Sequence, residues 1–488
     1  MNTAKWKSNI MTSVLIIVTS IIFFVCVSDT GYIMATDTPT YLDIVPKSAI
    51  RPIYPLFLAI HKMIFGEIQY LNVVVVSQAV LSVCCSTAFV CYLRTIFNLK
   101  PIETYVCYLL SLLVYTVDWP HVISSQYILT EGIAYPLFYL YMITLMQVVY
   151  KGGVKNIGAN VLMTFMLSMI RTQLQLVWVI SAIVIVYALF VKVVTKERSL
   201  YRQLGTIVIA IIVMGAIVLA GLKSNTYAMT MYTRVYYYFV QIELNNDKVV
   251  SQSKVDDIVY TDNQSSHALW LRLSYTIDES DINLFDTIYM KEIFEALYYK
   301  IDEAEQRYPY RPMNLWTWNH IANSTNRNSY ITTEVINDYL ENQNIDTQVK
   351  KNTQGIMDEL SSVLLREHWA DYIYWTLCLI PQGFVASIFV QIEEFYTLCY
   401  IITGILYTSA LIMSSITIKN RLMNSKVGVY MIVVILAACA FIGITNLVFF
   451  ALQRYVYYIF GVFYMAYYLL IREFWKYFQF RRFHKARS

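Results

Sequence analysis

The sequence predicts an α-helical polytopic membrane protein of about ten transmembrane helices with one mostly helical, extracytoplasmic soluble insert. Three observations predict it. Of the 488 residues 57% are hydrophobic and only 14% charged, where a soluble domain carries nearer ~25% charged residues. Apolar runs long enough to cross a hydrocarbon core of about 30 Å recur along the chain. The lysines and arginines are sorted between the segments that separate those runs.

The runs fall at 9–27, 71–93, 104–118, 128–150, 157–170, 173–191, 204–222, 396–415, 428–450 and 455–471. The first follows Lys5 and Lys7, is long, and lacks a small-residue cleavage site. It reads as a retained helix rather than a signal peptide. A loop at 28–70 and a polar stretch at 223–370 lie between the runs. The expected organisation is therefore a membrane domain at 1–222 whose first outer loop is 28–70, a soluble insert at 223–370, and a C-terminal part at 371–488.

With the N-terminus in the cytoplasm, alternation leaves 19 of the 37 basic residues in cytoplasmic segments and 13 in the insert. Five remain on the outer side: Lys47, Arg51, Lys62, Arg171 and Arg454. Cytoplasmic loops concentrate Lys and Arg, so this orientation is the expected one. It also settles Tyr372–Val390. If that apolar stretch spanned, the Lys419–Lys426 loop and the basic C-terminus would change sides. Pro381 and Gly383 interrupt it, so it is expected to be interfacial or re-entrant, where Trp369, Tyr372, Tyr374 and Trp375 are favoured.

The insert reads as mostly helical, with Ile293, Leu297 and Ile301 at helical spacing. Asn323–Asn328 and Tyr308–Pro312 read as loops. The insert has 21 acidic against 13 basic residues and no cysteine, so no disulfide framework holds it. Elsewhere Cys84, Cys85, Cys91, Cys107, Cys399 and Cys439 sit inside apolar runs, as small hydrophobes do. The six histidines do not cluster, and no Cys/His spacing suits a metal. Trp316 and Trp318 suit core packing or stacking on a sugar ring.

The outer loops are poor in basic residues yet hold Asp29, Asp37, Asp43, Glu67, Asp118, Glu131, Asp371, Glu393 and Glu394. A solvated acidic rim accounts for most of them. The first loop is more specific. It reads Thr36-Asp37-Thr38-Pro39-Thr40-Tyr41-Leu42-Asp43-Ile44, and then Ile50-Arg51-Pro52-Ile53-Tyr54-Pro55-Leu56. Leu129-Thr130-Glu131 opens the fourth run, Arg171-Thr172 lies between two runs, and Gln453-Arg454-Tyr455 opens the last.

These strings, in this order and on one side of the membrane, resemble the GT-C superfamily of polyprenyl-phosphate-sugar-dependent glycosyltransferases, of the protein O-mannosyltransferase and lipid A aminoarabinose transferase type. The resemblance covers the membrane part. The chain departs from the pattern where Thr38 follows the loop aspartate in place of Glu, where Thr172 and Gln173 replace Pro and Thr, and where no proline follows Arg454-Tyr455.

The resemblance implies transfer of a sugar from a polyprenyl-phosphate-linked donor to an extracytoplasmic acceptor. That acceptor is an O-antigen or other surface glycan, a lipid or a protein. It places the chain in a bacterial cytoplasmic membrane with the active site facing outward, and gives no nucleic acid a part. The reaction needs a base for the acceptor hydroxyl, which a fixed carboxylate supplies, and a cation for the leaving phosphate. Asp37 is the candidate base. Arg51, Arg171 and Arg454 are candidate phosphate holders, because a guanidinium matches phosphate oxygens two at a time; the alternative for each is anchoring at the membrane edge. Glu131 belongs to the acceptor site or is a carboxylate at a helix N-terminus. Tyr41 and Tyr54 orient the loop, and Asp43 supports it. The resemblance fixes no cofactor and leaves a divalent cation open, with Asp29 or Asp37 as its carboxylate. Two other readings stay open. One is an O-antigen polymerase or ligase, and the other a polysaccharide transporter, although the repeats typical of transporters are not visible.

The orientation is testable. In intact cells a cysteine replacing Ser251 is expected to react with an impermeant thiol reagent, and one replacing Ser488 is not. The opposite labelling inverts the topology.

Overall fold

The computed structural model describes residues 3–35, 38–42, 53–116, 124–194, 274, 277–307, 317–342, 349–389, 396–420, 422–448 and 453–485. Among them the regular structure is helical, apart from an isolated parallel bridge between Ile33 and Tyr127. The helices are α1 Thr3–Thr30, α2 Thr38–Leu42, α3 Ile53–Phe97, α4 Pro101–Leu112, α5 Glu131–Lys151, α6 Val154–Ser168, α7 Leu176–Val194, α8 Ile288–Arg307, α9 Thr317–Asn342, α10 Val349–Glu367, α11 Trp369–Ile388, α12 Tyr396–Lys419, α13 Ser425–Val448, α14 Gln453–Val456 and α15 Tyr458–Lys485. Each run expected to span is helical over most of its described residues, except 204–222, which lies outside them. Among the described residues, four helical stretches are long and apolar enough to cross a membrane: Ile53–Phe97, Glu131–Lys151, Thr397–Lys419 and Ser425–Gly443. Asn9–Val25, Pro101–Tyr115 and Gln173–Ala188 are shorter apolar helices. The chain is an α-helical, multi-pass membrane protein.

Two compact units divide the chain. The first comprises Met1–Val259, Ile405–Phe441 and Tyr457–Ser488; the second comprises Tyr260–Gly404 and Ile442–Val456.

In the first unit α5 packs against α3, α6 and α7. It is apolar on nearly every side, with Tyr135, Phe138, Tyr139, Tyr141, Met142 and Leu145 all buried, as a helix inside a bundle must be. Small and hydroxylated residues bring its neighbours close. The Tyr139 hydroxyl donates to the Ser111 carbonyl at 2.6 Å, and a side chain at Gly461 would collide with that same hydroxyl. The Ser181 hydroxyl bonds to those of Tyr141 and Thr164 at 3.1 and 2.8 Å. Such interhelical hydrogen bonds and small-residue contacts replace the hydrophobic driving force that lipid cannot supply. By contrast, α1 leaves Ile10, Val14, Ile17, Ile21 and Val25 exposed, as a lipid-facing surface does.

Helix α3 differs from the expected loop at 28–70. It starts at Ile53 and breaks only at Gly66, whose φ of 72° suits glycine. The arm before Gly66 buries Tyr54, Pro55 and Leu58 and exposes Ile60, Met63, Ile64 and Phe65. Pro55 is tolerated there because it lies in the first turn. Lys62 pairs with Glu67 at 2.7 Å.

The second unit has its own core, built by Phe285, Met290, Ile293, Phe294, Leu297 and Ile301 against Val335, Ile336, Leu340, Ile356, Met357, Leu360 and Leu364. The expected spacing Ile293, Leu297, Ile301 is the buried stripe of α8. Two sequence expectations fail here. Asn323–Asn328 is not a loop but lies within α9. The Asn328 side chain is buried and donates to the Ser274 hydroxyl at 3.3 Å; a tertiary partner overrides the local preference of asparagine for turns. Nor do Pro381 and Gly383 interrupt Tyr372–Val390, because α11 runs through both. Asn446 donates to the Leu379 carbonyl at 3.2 Å, tying α13 to α11 two residues before Pro381. Tyr308–Pro312 and Trp316 lie outside the described residues, as does the side chain of Trp318.

His368 links α10 to α11. Its Nε2 lies 3.0 Å from Asp281 Oδ2 and its Nδ1 3.4 Å from Asp371 Oδ2. The same Asp281 oxygen accepts the Asp278 backbone N–H at 2.8 Å. Burial alone would lower the imidazole pKa, but hydrogen bonding and charge from Asp281, then Asp371, outweigh it and raise the pKa above the ordinary histidine value. The stabilisation from this contact is therefore complete below about pH 6.5, the unfolded-state value, and is lost as pH rises through the higher folded value. Once corrected for intrinsic rates, hydrogen exchange at the His368 and Tyr372 amides is expected to accelerate as pH rises above about 6.5. His368→Gln is expected to abolish that pH dependence; if it persists, the imidazole is not its source.

Candidate functional site

The first unit holds a buried charged cluster where the outer-loop strings meet. Glu131 is the first residue of α5, and Thr130 precedes it at the N-cap position, its side chain making no capping bond to the helix backbone. A carboxylate is favoured at this end by the partial positive charge of the helix. Arg171 is extended, with φ −150° and ψ 141°, between α6 and the short 3-10 turn Thr172–Gln175. Its guanidinium forms an ion pair with Glu131. It also donates to the Thr130 hydroxyl at 3.3 Å, and that hydroxyl donates to Glu131 Oε2 at 2.9 Å. Arg171 is only 9% exposed and Glu131 only 5%. An arginine anchored at the membrane edge reaches for water; Arg171 instead turns inward to a carboxylate.

Aromatic residues surround the pair. The Tyr458 hydroxyl, at the start of α15, faces the Arg171 guanidinium, and the Tyr458 ring meets that of Tyr135 edge-on at 4.9 Å. Tyr54 is fully buried close to Glu131. Its ring meets that of Tyr41 edge-on at 5.4 Å. Its hydroxyl donates to Gln78 Oε1 at 3.1 Å, and Gln78 Nε2 donates to the Ser125 and Tyr127 carbonyls at 2.8 and 3.1 Å. Gly132 makes room for this amide, since a side chain at that position would overlap it.

The loop after α1 is tied to the segment that leads into Thr130. The Ile33 N–H donates to the Gln126 carbonyl at 2.9 Å, and the Ile128 N–H donates to the Ile33 carbonyl at 3.1 Å. The Thr38 hydroxyl accepts from the Ala35 N–H at 2.8 Å and donates to the Ile128 carbonyl at 3.0 Å. The Ile53 N–H donates to the Met169 carbonyl at 3.2 Å, joining the start of α3 to the turn before Arg171.

Of the residues singled out by sequence, this arrangement brings together Tyr41, Tyr54, Glu131 and Arg171. Asp37, Asp43 and Arg51 lie outside the described residues, although α2 starts directly after Asp37. Arg454 belongs to α14 in the second unit, and its side chain lies outside the described set, as does that of Asp29. Among the described residues no group of three or more His, Cys, Asp or Glu could hold a metal ion. Sequence reasoning missed Gln78, Tyr135 and Tyr458, and it quoted Thr130 only as part of a string, with no role. Gln78 carried a signal, as an amide within the apolar run 71–93. So did Glu131 with Arg171, since opposite charges bordering apolar runs tend to pair.

No family model matches the sequence, and no curated protein matches it. Among solved structures, the chain is similar to the crystal structure of ArnT from Cupriavidus metallidurans bound to undecaprenyl phosphate. Identity is 12% and the TM-score 0.29, over 94% of this chain and 76% of that one. A likeness at this level assigns neither family nor residue roles.

The ion pair can be tested apart from any activity. Arg171→Met leaves the Glu131 carboxylate buried without its cation and is expected to cost about 3–5 kcal/mol of stability. Arg171→Met combined with Glu131→Gln is expected to recover much of that loss, as measured by unfolding in detergent. Additive losses from the two substitutions would show that the charges are not coupled.

Proposed function

We propose that the chain is a membrane glycosyltransferase of the GT-C type. It would move a sugar from a polyprenyl-phosphate-linked donor to a hydroxyl acceptor on a surface glycan, lipid or protein outside the cytoplasm. The observation that carries the reading is the buried Glu131–Arg171 pair beside Tyr54 and Tyr41. Charged residues within apolar helical bundles mark functional sites, and here both partners come from the outer strings that resemble the superfamily.

In this reading the acceptor oxygen attacks the anomeric carbon of the sugar. The bond from that carbon to the phosphate oxygen breaks, and its electron pair leaves with the lipid phosphate. Asp37 takes the proton of the acceptor hydroxyl. Arg171 and Arg51 meet the charge that grows on the phosphate, and Arg454 keeps the same role on its sequence string alone. Glu131 holds Arg171 in place, which makes it a positioning residue; Thr130 and Tyr54 support it. Asp43 is a supporting carboxylate. O-antigen is the acceptor favoured among the surface glycans.

Incubating the purified protein with radiolabelled polyprenyl-phosphate sugars and candidate acceptors tests the reading, and the decisive variant is Asp37→Asn. The amide keeps the size and hydrogen bonding of the carboxylate but takes no proton. Turnover is expected to fall about a hundredfold or more, with donor binding intact. Asp43→Asn is expected to cost far less. If Asp37 merely caps α2, asparagine serves as well, and Asp37→Asn would turn over normally. Transport of a glycan across vesicles without any glycosyl transfer would replace the enzyme reading with a transporter.

A further inference from the structure

Helix α15 continues beyond the end of its bundle. Arg472 marks that end: its guanidinium donates to the Phe97 and Asn98 carbonyls at 3.3 and 3.2 Å, where α3 stops, and to Glu103 Oε1 at 2.8 Å in the first turn of α4. Beyond it α15 runs to Lys485, a further 20 Å or so at about 1.5 Å per residue. One face of this extension carries Ile471, Trp475, Phe478 and Arg482 at helical spacing. Trp475 and Phe478 are 65% and 59% exposed. Arg481 and Arg482 are also exposed, and the Arg481 guanidinium lies 5.0 Å from the centre of the Tyr477 ring. From Phe474 to Ser488 the sequence has Lys476, Arg481, Arg482, Lys485 and Arg487 and no acidic residue.

We propose that this end of α15 is a docking surface for anionic phospholipid headgroups of the membrane that the bundle crosses. The order of residues along the face matches the layers of a bilayer. The lipid-facing aliphatic surface gives way to Trp475 and Phe478 at the depth where aromatic rings are favoured. The uncompensated arginines follow at the depth of the phosphates. Arg472 is buried and committed to Glu103 and Glu473, and Lys476 is paired with Glu473 at 2.9 Å. The headgroup charge therefore falls to Arg481 and Arg482, with Lys485 and Arg487 following in the sequence. A zwitterionic surface leaves those charges unanswered.

The test uses the full-length protein in detergent micelles and native mass spectrometry, titrating phosphatidylglycerol against phosphatidylcholine. Wild type is expected to retain phosphatidylglycerol preferentially, and less of it as salt rises. Arg481→Gln/Arg482→Gln/Lys485→Gln is expected to bind it about a hundredfold more weakly, from the contribution of each basic residue near an anionic surface. Arg481→Lys/Arg482→Lys keeps the charge and is expected to keep the binding, which separates charge from damage to the helix. Equal phosphatidylglycerol retention by wild type and the triple glutamine variant overturns the proposal. So does displacement of the lipid from wild type by single-stranded RNA, which would make this end a nucleic-acid surface.

Discussion

A charge inside an apolar bundle must find its opposite, and this constraint fixes both ends of the first unit. Arg171 and Glu131 meet at one end, Arg472 with Glu103 and Glu473 at the other. Along α15 the two clusters are separated by the stretch from Tyr458 to Arg472, about 21 Å at 1.5 Å per residue. Each arginine also answers groups that a helix end leaves over. Arg472 takes the Phe97 and Asn98 carbonyls at the C-terminus of α3. Arg171 engages Thr130 and Glu131 at the N-terminus of α5, where a carboxylate is already favoured. Breaking either pair leaves an uncompensated buried charge, which costs far more than a surface pair does. The apolar packing of α5 against α3, α6 and α7 therefore works within limits set by these two contacts.

The membrane helices were legible in the sequence because lipid imposes a simple rule: a spanning segment must be long, apolar and helical. The rule says little about polar stretches or about prolines near apolar ones, and the readings that failed concern those. Asn323–Asn328 has the composition of a loop, and only the distant Ser274 explains why Asn328 is buried in a helix. The arm of α3 before Gly66 lies in the stretch that reads as loop, with Pro52 just before it and Pro55 in its first turn; it is held by burial of Tyr54 and Leu58, which sequence spacing does not reveal. Pro381 reads as a break because a proline removes one backbone donor, yet α11 runs through it, and its contact with Asn446, far along the chain, is not visible in local sequence.

The candidate site was legible as a set of residue types and not as a set of contacts. Arg171, Glu131, Tyr41 and Tyr54 stood out because charged and aromatic side chains bordered apolar runs on one side of the membrane. Their mutual arrangement depends on Gln78, which bonds Tyr54 with its carbonyl and the Ser125 and Tyr127 carbonyls with its amide. One buried glutamine thus ties the arm of α3 to the segment leading into α5. The Thr38 hydroxyl does the same for the loop after α1. Such long-range hydrogen bonds obey no sequence periodicity. What betrays them is a polar side chain where lipid or core would select an apolar one, as at Gln78, and a glycine where a neighbour needs the space, as at Gly132.

The pairing of Arg171 bears on the proposed chemistry. An arginine neutralised by a buried glutamate presents little net charge to a phosphate, however well its planar fork fits the oxygens. The proposed reaction also adds negative charge at the leaving oxygen. A cation that Glu131 does not neutralise is therefore needed. In the proposed reading Arg51, fourteen residues after Asp37 in the sequence, would supply it. Arg171 would then orient the phosphate, and Arg51 would carry the charge that accumulates there. This division also gives Glu131 a reason to be buried: a guanidinium locked by a carboxylate and the Thr130 hydroxyl keeps one geometry before donor arrives, and preorganised dipoles stabilise a transition state without having to move.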